Sequence, residues 1–196
     1  MSGSDLPLFP LSSVLFPEGA ISLRIFERRY LDMIRDCARN DSGFGVCLIL
    51  DGGEVGQPAT PAAIGTLARI VDFHTGSDGL LGILARGDRR FRVQQTRVRD
   101  NGLIHAQVEW IEDAEMQPVP AECGLLATIL ERFHEQAGGE YALIERARYD
   151  DAAWVAYRLA EALPLEQAER QLLLQMSDPI ERLTQLMHYL PRFQSG

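Results

Sequence analysis

Residues 6–30 read LPLFPLSSVLFPEGAISLRIFERRY and decide how this chain begins to fold. Prolines interrupt the first half of the stretch, and because each lacks an N–H and fixes φ, no helix can run through it. At Glu27 the apolar residues change from an alternating pattern to a helical one. We therefore predict a strand over residues 21–26, followed directly by a helix over residues 27–39.

Strand patterns continue through the first half of the chain. Residues 44–50, FGVCLIL, are almost continuously apolar, which predicts a strand buried on both faces at the centre of a sheet. Later strands are separated by turns rich in glycine, aspartate and asparagine, and one such turn is predicted at Arg86-Gly87-Asp88. The strands are expected at residues 64–74, 80–85, 89–99 and 103–111. This spacing predicts an antiparallel meander that closes into a small barrel.

The pattern changes after a proline-containing linker at residues 115–120. Apolar residues then recur at three- and four-residue intervals, which predicts amphipathic helices. A further helix is expected to begin after Asp178, which can cap it, with Pro179 at its first position. The most regular stripe is expected to face a core and comprises Leu125, Leu126, Ile129, Leu130 and Phe133.

These patterns together predict an α+β protein. Residues 1–113 are expected to form an antiparallel β pseudo-barrel with one packed helix, and residues 114–196 an α-helical bundle. A chain of 196 residues is long enough for two small lobes, each with its own core.

The quoted stretch resembles the N-terminal substrate-binding domain of Lon, the ATP-dependent protease. The matching order is LPLFPL, VLFPEG, ISLRIFERRY and MI, and residues 64–70 and 87–93 resemble two further strands of that family. The likeness spans nearly the whole chain, which looks like a stand-alone protein of this domain type. The resemblance implies a PUA-like pseudo-barrel followed by a helical bundle, and it implies a role in recognising polypeptide substrates.

Composition limits the chemistry that this chain can perform. All 19 cationic residues are arginine, and the sequence contains no lysine. The ATPase module of Lon needs a phosphate-binding loop that ends in Gly-Lys-Ser/Thr, and its peptidase needs a serine activated by a lysine. The four histidines show no metal-ligand spacing. We therefore predict a non-enzymatic protein without catalytic residues, cofactor or metal.

Charge and cysteine content bear on partners and compartment. The net charge of −9 gives no general attraction for nucleic acid or for an anionic membrane. No apolar run approaches the ~20 residues that a membrane span needs. The three cysteines form no CxxC pair, and the N-terminus has no signal peptide, so we expect a reduced cytoplasmic compartment.

One basic cluster stands out in this acidic chain. Residues 86–99 hold six arginines against one aspartate, and strand alternation places Arg90 and Arg92 on one face. One interpretation is a site for carboxylates or for RNA phosphate, as small barrels can provide. The other is a solvated strand face whose arginines pair with acidic neighbours and block edge aggregation. The acidity of the whole chain favours the second interpretation.

The motif FERRY at residues 26–30 also has two interpretations. In the first, Phe26 and Tyr30 wedge the helix onto the barrel, as aromatic pairs at a junction between a strand and a helix often do. Glu27 then forms a buried or semi-buried ion pair with an arginine. Alternatively, part of this face contacts a polypeptide. The candidate protein-binding residues are Phe16, Phe26, Arg28, Arg29, Tyr30, Arg90 and Arg92.

The leading hypothesis is a polypeptide-binding module that holds exposed hydrophobic segments on apolar patches, edge strands or a groove. It could deliver them to a protease or chaperone, and a homodimer is left open. The second hypothesis is an RNA- or small-ligand-binding barrel that uses the face of residues 86–99. The third is a hydrolase built on Asp, Glu and His without a known motif, which would need a concave cluster of perturbed carboxylates.

Overall fold

β-structure occupies the first part of the chain and helices the second. A computed structural model describes residues 4–193, and the chain divides into two units, Met1–Glu112 and Asp113–Gly196. The first unit contains seven strands and one helix among its described residues: β1 (Ser4–Leu11), β2 (Ala20–Ile25), α1 (Arg28–Asn40), β3 (Phe44–Asp51), β4 (Thr60–Pro61), β5 (Ile64–Thr75), β6 (Leu81–Val98) and β7 (Ile104–Trp110).

Five of the strands pair in a closed ring. The first half of β1 pairs with β7, β7 with β6, β6 with β5 and β5 with β3, all antiparallel. The second half of β1 returns to β3 in a parallel pairing. The predicted meander was antiparallel throughout, so this parallel pair is a correction. It is possible because β2 and α1 lie between β1 and β3, and a parallel pair needs such a long crossover connection.

Strand β6 is continuous where the sequence predicted a turn at Arg86-Gly87-Asp88. The Gly87 N–H donates to the Gly19 carbonyl at 2.8 Å, and the Gly87 carbonyl accepts from the Glu18 N–H at 2.8 Å. A side chain at Gly87 is excluded, because a Cβ there would lie 2.2 Å from the Phe16 carbonyl oxygen. The absence of a side chain at Gly87 leaves room for the backbone of the segment that joins β1 to β2. We call this segment, residues 12–19, the connector. One side of β6 pairs with β5. On the other side, β6 pairs with β2 before Gly87 and with β7 after it.

The predicted strand-to-helix change at Glu27 is confirmed. Glu27 is the residue before the first turn of α1, and the buried face of the helix carries Tyr30, Met33, Ile34 and Cys37. These side chains pack with residues of several strands in one core cluster, which includes Phe9 and Phe44. The helix ends at Asp41, which has the left-handed φ of 48°.

The described part of the second unit is helical. It contains α2 (Gly124–Ala137), α3 (Ala152–Ala162), α4 (Gln167–Gln175) and α5 (Pro179–Tyr189), with short 3-10 turns before α2, between α2 and α3, and after α5. The predicted cap is confirmed, since the Asp178 carboxylate accepts the Ile180 N–H at 2.8 Å. The predicted stripe of α2 is partly wrong. Leu126, Leu130 and His134 are buried, whereas Leu125 and Phe133 are exposed.

A buried arginine holds the helical unit together in a way that the sequence does not suggest. Arg182 of α5 lies in the core, and its Nε donates to the Leu173 carbonyl at 2.9 Å. A second guanidinium nitrogen donates to the Met176 carbonyl, and the guanidinium lies 4.1 Å from the ring centroid of Tyr157. The C-terminal carbonyls of α4 lack partners within their own helix, and Arg182 supplies the donors.

We expect the substitution Gly87→Ala to lower the free energy of unfolding by about 1–3 kcal/mol, because the new methyl group must displace the Phe16 backbone. Chemical denaturation followed by circular dichroism measures the effect. Gly53→Ala is the matched control, since a Cβ at Gly53 meets only ordinary contacts at 3.8 Å or more. Equal stability of the two variants would contradict the role given to Gly87.

We expect Arg182→Met to destabilise the helical unit by about 2 kcal/mol or more, because it leaves the Leu173 and Met176 carbonyls without these donors. Thermal or urea unfolding measures the loss. The same substitution at the exposed Arg132 of α2 should change stability by no more than about 0.5 kcal/mol. A neutral Arg182→Met would show that apolar packing alone suffices at that position.

Candidate functional site

A groove of about 310 Å³ opens on the first unit. Its apolar lining comes from the end of β1, from β2 and from the first turn of α1, and the loop after β3 adds one wall. The lining side chains are Phe9, Leu11, Ser22, Leu23, Arg24, Phe26, Glu27, Tyr30, Glu54 and Val55. Apolar surface with a few polar groups at its margin is the usual composition of a binding site.

Two stacked aromatic rings form the floor of the groove. The rings of Phe9 and Tyr30 lie 3.9 Å apart between centroids, at an interplanar angle of 17°. Both side chains are buried, and this burial raises the pKa of the Tyr30 hydroxyl, an effect that the Arg29 charge partly offsets. The stack joins β1 to α1, so the floor is built from two elements that the core already fixes.

An ion pair secures the first turn of α1 beside this floor. The Arg29 guanidinium lies 3.1 Å from the Glu27 carboxylate, and it donates to the Gly102 carbonyl at 3.1 Å. It also lies 4.7 Å from the centroid of the Tyr30 ring. The predicted semi-buried pair between Glu27 and an arginine is therefore confirmed. Arg29 is buried and does not line the groove, so its role is to position the start of the helix.

The rim of the groove carries exposed apolar side chains. Phe26 is 53% exposed, so the prediction that it wedges α1 onto the sheet is wrong. Phe26 lies after the end of β2 and before Glu27, so its side chain does not pack into the core. Val55 is exposed on the opposite loop. That loop is attached to the connector, because the Glu54 carboxylate accepts the Ser12 N–H at 2.6 Å.

The structure separates the seven residues predicted to bind protein. Phe26 and Tyr30 line the groove, Arg29 supports it, and Arg28 is exposed on α1 and pairs with Asp32 at 3.3 Å. Phe16 is fully buried in the connector, so it cannot present a binding surface.

Arg90 is also a correction, since its side chain is only 1% exposed while Arg92 is exposed. Strand alternation had placed both arginines on one accessible face. Arg90 is the cross-strand neighbour of Thr66, whose hydroxyl donates to the Leu15 carbonyl at 2.6 Å. The connector therefore covers this part of the face, whereas Arg92 lies farther along the strand, beyond Thr66.

The other arginines of residues 86–99 contact groups within the protein. Arg97 lies 2.8 Å and Arg99 3.8 Å from the Asp5 carboxylate. Arg86 approaches Glu18 at 4.0 Å, and Arg89 lies 3.8 Å from the ring centroid of Trp110. The cluster therefore pairs largely within the protein, which favours the structural interpretation of its charge over a phosphate-binding face.

Sequence reasoning did not identify seven of the lining residues: Phe9, Leu11, Ser22, Leu23, Arg24, Glu54 and Val55. Phe9 and Leu11 belong to an apolar strand pattern that gave no sign of a groove. Val55 lies in a glycine-rich loop without any period. Only the pairing of distant segments brings them to Phe26.

Within residues 4–193, no group of three or more His, Cys, Asp or Glu side chains is arranged to hold a metal ion. In the same range, no helix has the length and apolar character that a bilayer crossing requires.

Comparisons with curated proteins place the chain beside one part of larger proteases. The Lon protease of Dictyoglomus thermophilum is 26% identical over 193 residues, which are 95% of this chain and 24% of that protein. A LON peptidase N-terminal domain and RING finger protein of Schizosaccharomyces pombe is 25% identical over 98% of this chain and 46% of its own length. The chain thus spans about a quarter of the length of the Lon proteases that it matches.

Solved structures have the same fold. A Lon N-terminal domain protein from Xanthomonas campestris is 52% identical, with a TM-score of 0.81 over 95% of this chain and 98% of that chain. The N-terminal domain of a Mycobacterium avium complex Lon protease has a TM-score of 0.70 at 17% identity over 95% of this chain and 97% of that chain, and at this identity it supports the fold alone. The family model for the ATP-dependent protease La (LON) substrate-binding domain matches residues 5–192. The chain therefore belongs to the family of LON substrate-binding domains.

Proposed function

We propose that this protein binds exposed hydrophobic segments of other polypeptides in the groove of its first unit and performs no bond-breaking step itself. The observation that carries the proposal is the exposed Phe26 beside an apolar floor made by Phe9 and Tyr30. An accessible aromatic residue next to a buried apolar surface is the arrangement from which binding hot spots are built. Membership of a substrate-binding family supports the same conclusion.

The absence of lysine supports a non-catalytic role. Neither the lysine of a phosphate-binding loop nor that of a serine-lysine dyad can come from a sequence that contains none. The family match covers the substrate-binding domain of the protease, which supports a role in recognition rather than in ATP hydrolysis or peptide cleavage. A protease or chaperone that receives the bound segment is the partner we propose.

The closed ring of five strands supports the pseudo-barrel that the family resemblance implied, and we propose that it is of the PUA-like type. We further propose that the lobes divide at the boundary near residue 113, and that the polypeptide site lies in the β-lobe. The cytoplasmic compartment stays a prediction, as does a homodimer.

We expect Phe26→Ser to weaken the binding of an unfolded polypeptide about tenfold, because it removes an exposed aromatic anchor from the rim. Fluorescence anisotropy with labelled, carboxymethylated α-lactalbumin measures the Kd. Phe73→Ser is the matched control, since Phe73 is exposed to a similar extent, 49% against 53%, and does not line the groove. An unchanged Kd for Phe26→Ser, or an equal loss in the control, would contradict the proposed site.

We expect the three cysteines to be unreactive in the folded protein, because all three are buried. Burial raises the pKa of the Cys47 thiol to about 12 and also raises the pKa of Cys37 and Cys123. A raised pKa leaves less thiolate, which is the reacting form. Iodoacetamide at about pH 8, the range in which free cysteine ionises, should label the folded protein slowly and the unfolded protein at all three positions. Rapid labelling of folded Cys47, read by mass spectrometry, would contradict this.

A further inference from the structure

Strand β2 has a free edge. It pairs with β6 from Ala20↔Arg86 to Ile25↔Leu81, and among residues 4–193 no other strand pairs with it. A strand with one unpaired side presents N–H and C=O groups that another chain can engage, and proteins usually block such an edge with proline or inward-pointing charge. The sequence of β2, AISLRI, contains no proline, and its single charge, Arg24, pairs with Asp78.

The direction of the backbone groups along β2 follows from one hydrogen bond. The Gly19 carbonyl accepts the Gly87 N–H at 2.8 Å and therefore points towards β6. Successive residues of a strand direct their backbone groups to opposite sides. Ile21, Leu23 and Ile25 thus direct theirs to β6, whereas Ser22 and Arg24 direct their N–H and C=O groups to the free edge.

This free edge runs along the groove. Ser22 and Arg24 carry their side chains on one face of β2, and Leu23 carries its side chain on the other, where it packs against the core. All three residues nevertheless line the same groove. A cavity that borders residues of both faces lies along the edge of the strand, next to its unpaired backbone groups.

We propose that the groove receives an extended polypeptide segment that adds to the free edge of β2 as a further strand. This inference rests on the proposed function and specifies the substrate class. The backbone of the segment exchanges hydrogen bonds with Ser22 and Arg24, and an apolar side chain of the segment lies on Phe9 and Tyr30. Such strand addition takes its affinity from main-chain hydrogen bonds and its selectivity from pockets for alternate side chains.

The local charges define the segment further. Glu27 pairs with Arg29, Arg24 pairs with Asp78, and Glu54 accepts the Ser12 N–H. The charged groups of the rim are therefore already partnered, so the groove favours uncharged segments with apolar residues at alternate positions. A helical segment is excluded from this mode, because its backbone groups already bond within the helix.

The test uses the full 196-residue chain and synthetic peptides. The probe is a fluorescein-labelled peptide of about eight residues, long enough at ~3.3 Å per residue to span β2, in which leucine or valine alternates with serine. Single backbone N-methyl groups are placed at each position in turn. A methyl group removes a donor only where that N–H faces β2, so we expect the affinity to fall about tenfold at every second position and to change little at the positions between.

Variants of Ser22 provide the second measurement. Ser22→Pro removes the N–H at the free edge without removing a donor to β6, and proline is tolerated on that side of an edge strand. We expect it to bind the peptide about tenfold more weakly than Ser22→Ala, because the alanine variant loses the same hydroxyl but retains the N–H. The N-methyl series on the unmodified protein does not depend on how well Ser22→Pro folds.

The outcomes separate the two proposals. Binding that depends on Phe26 but responds equally to N-methyl groups at all positions would overturn strand addition and leave the proposed function standing. Absence of any Phe26-dependent binding would overturn the proposed function as well. Sedimentation that shows a dimer lost on Ser22→Pro would also overturn the inference, because a second copy of the chain would then occupy the edge.

Discussion

The fit of the connector against Gly87 is the contact on which the first unit depends. The Phe16 carbonyl occupies the space where any other residue at position 87 would place its Cβ, and the Glu18 and Gly19 backbone groups bond to both polar atoms of that glycine. Strand β6 therefore continues through Gly87, with β2 beside its first part and β7 beside its second. Because the connector is fixed there, β2 enters with one edge on β6 and leaves the other edge at the groove.

The aromatic residues of the groove have two roles, since two of them form its buried floor and the third is exposed at its rim. Tyr30 and Phe9 are buried in a stack that joins α1 to β1, and Arg29 holds the first turn of that helix through Glu27 and Gly102. Phe26, four residues before Tyr30, remains exposed beside them. A floor whose rings are already packed lowers the entropic cost of capturing a segment, because these side chains need not be ordered on binding.

Local periodicity predicted the elements that depend on neighbours in the sequence. The alternation before Glu27, the helical spacing after it, the apolar run of β3 and the Asp178 cap are all visible within a few residues. The errors arise where distant segments meet. Gly87 has the composition of a turn, and only the approach of Phe16, 71 positions earlier in the numbering, keeps it in a strand. Arg90 was expected at the surface because its alternation is regular, but the connector covers the face it shares with Thr66. The groove forms where Val55 and Phe26 lie close together. No periodicity in the sequence predicts that a loop residue will lie near the end of a strand.

Amide hydrogen exchange, measured residue by residue by NMR, tests most directly whether polypeptide binds along the free edge of β2. With the protein saturated by carboxymethylated α-lactalbumin, we expect the amides of Ser22 and Arg24 to become protected, since their N–H groups gain partners. The amides of Ile21 and Leu23 should already be protected by β6. Protection confined to Arg90, Arg92 and their neighbours, or none on β2, would contradict binding along that edge.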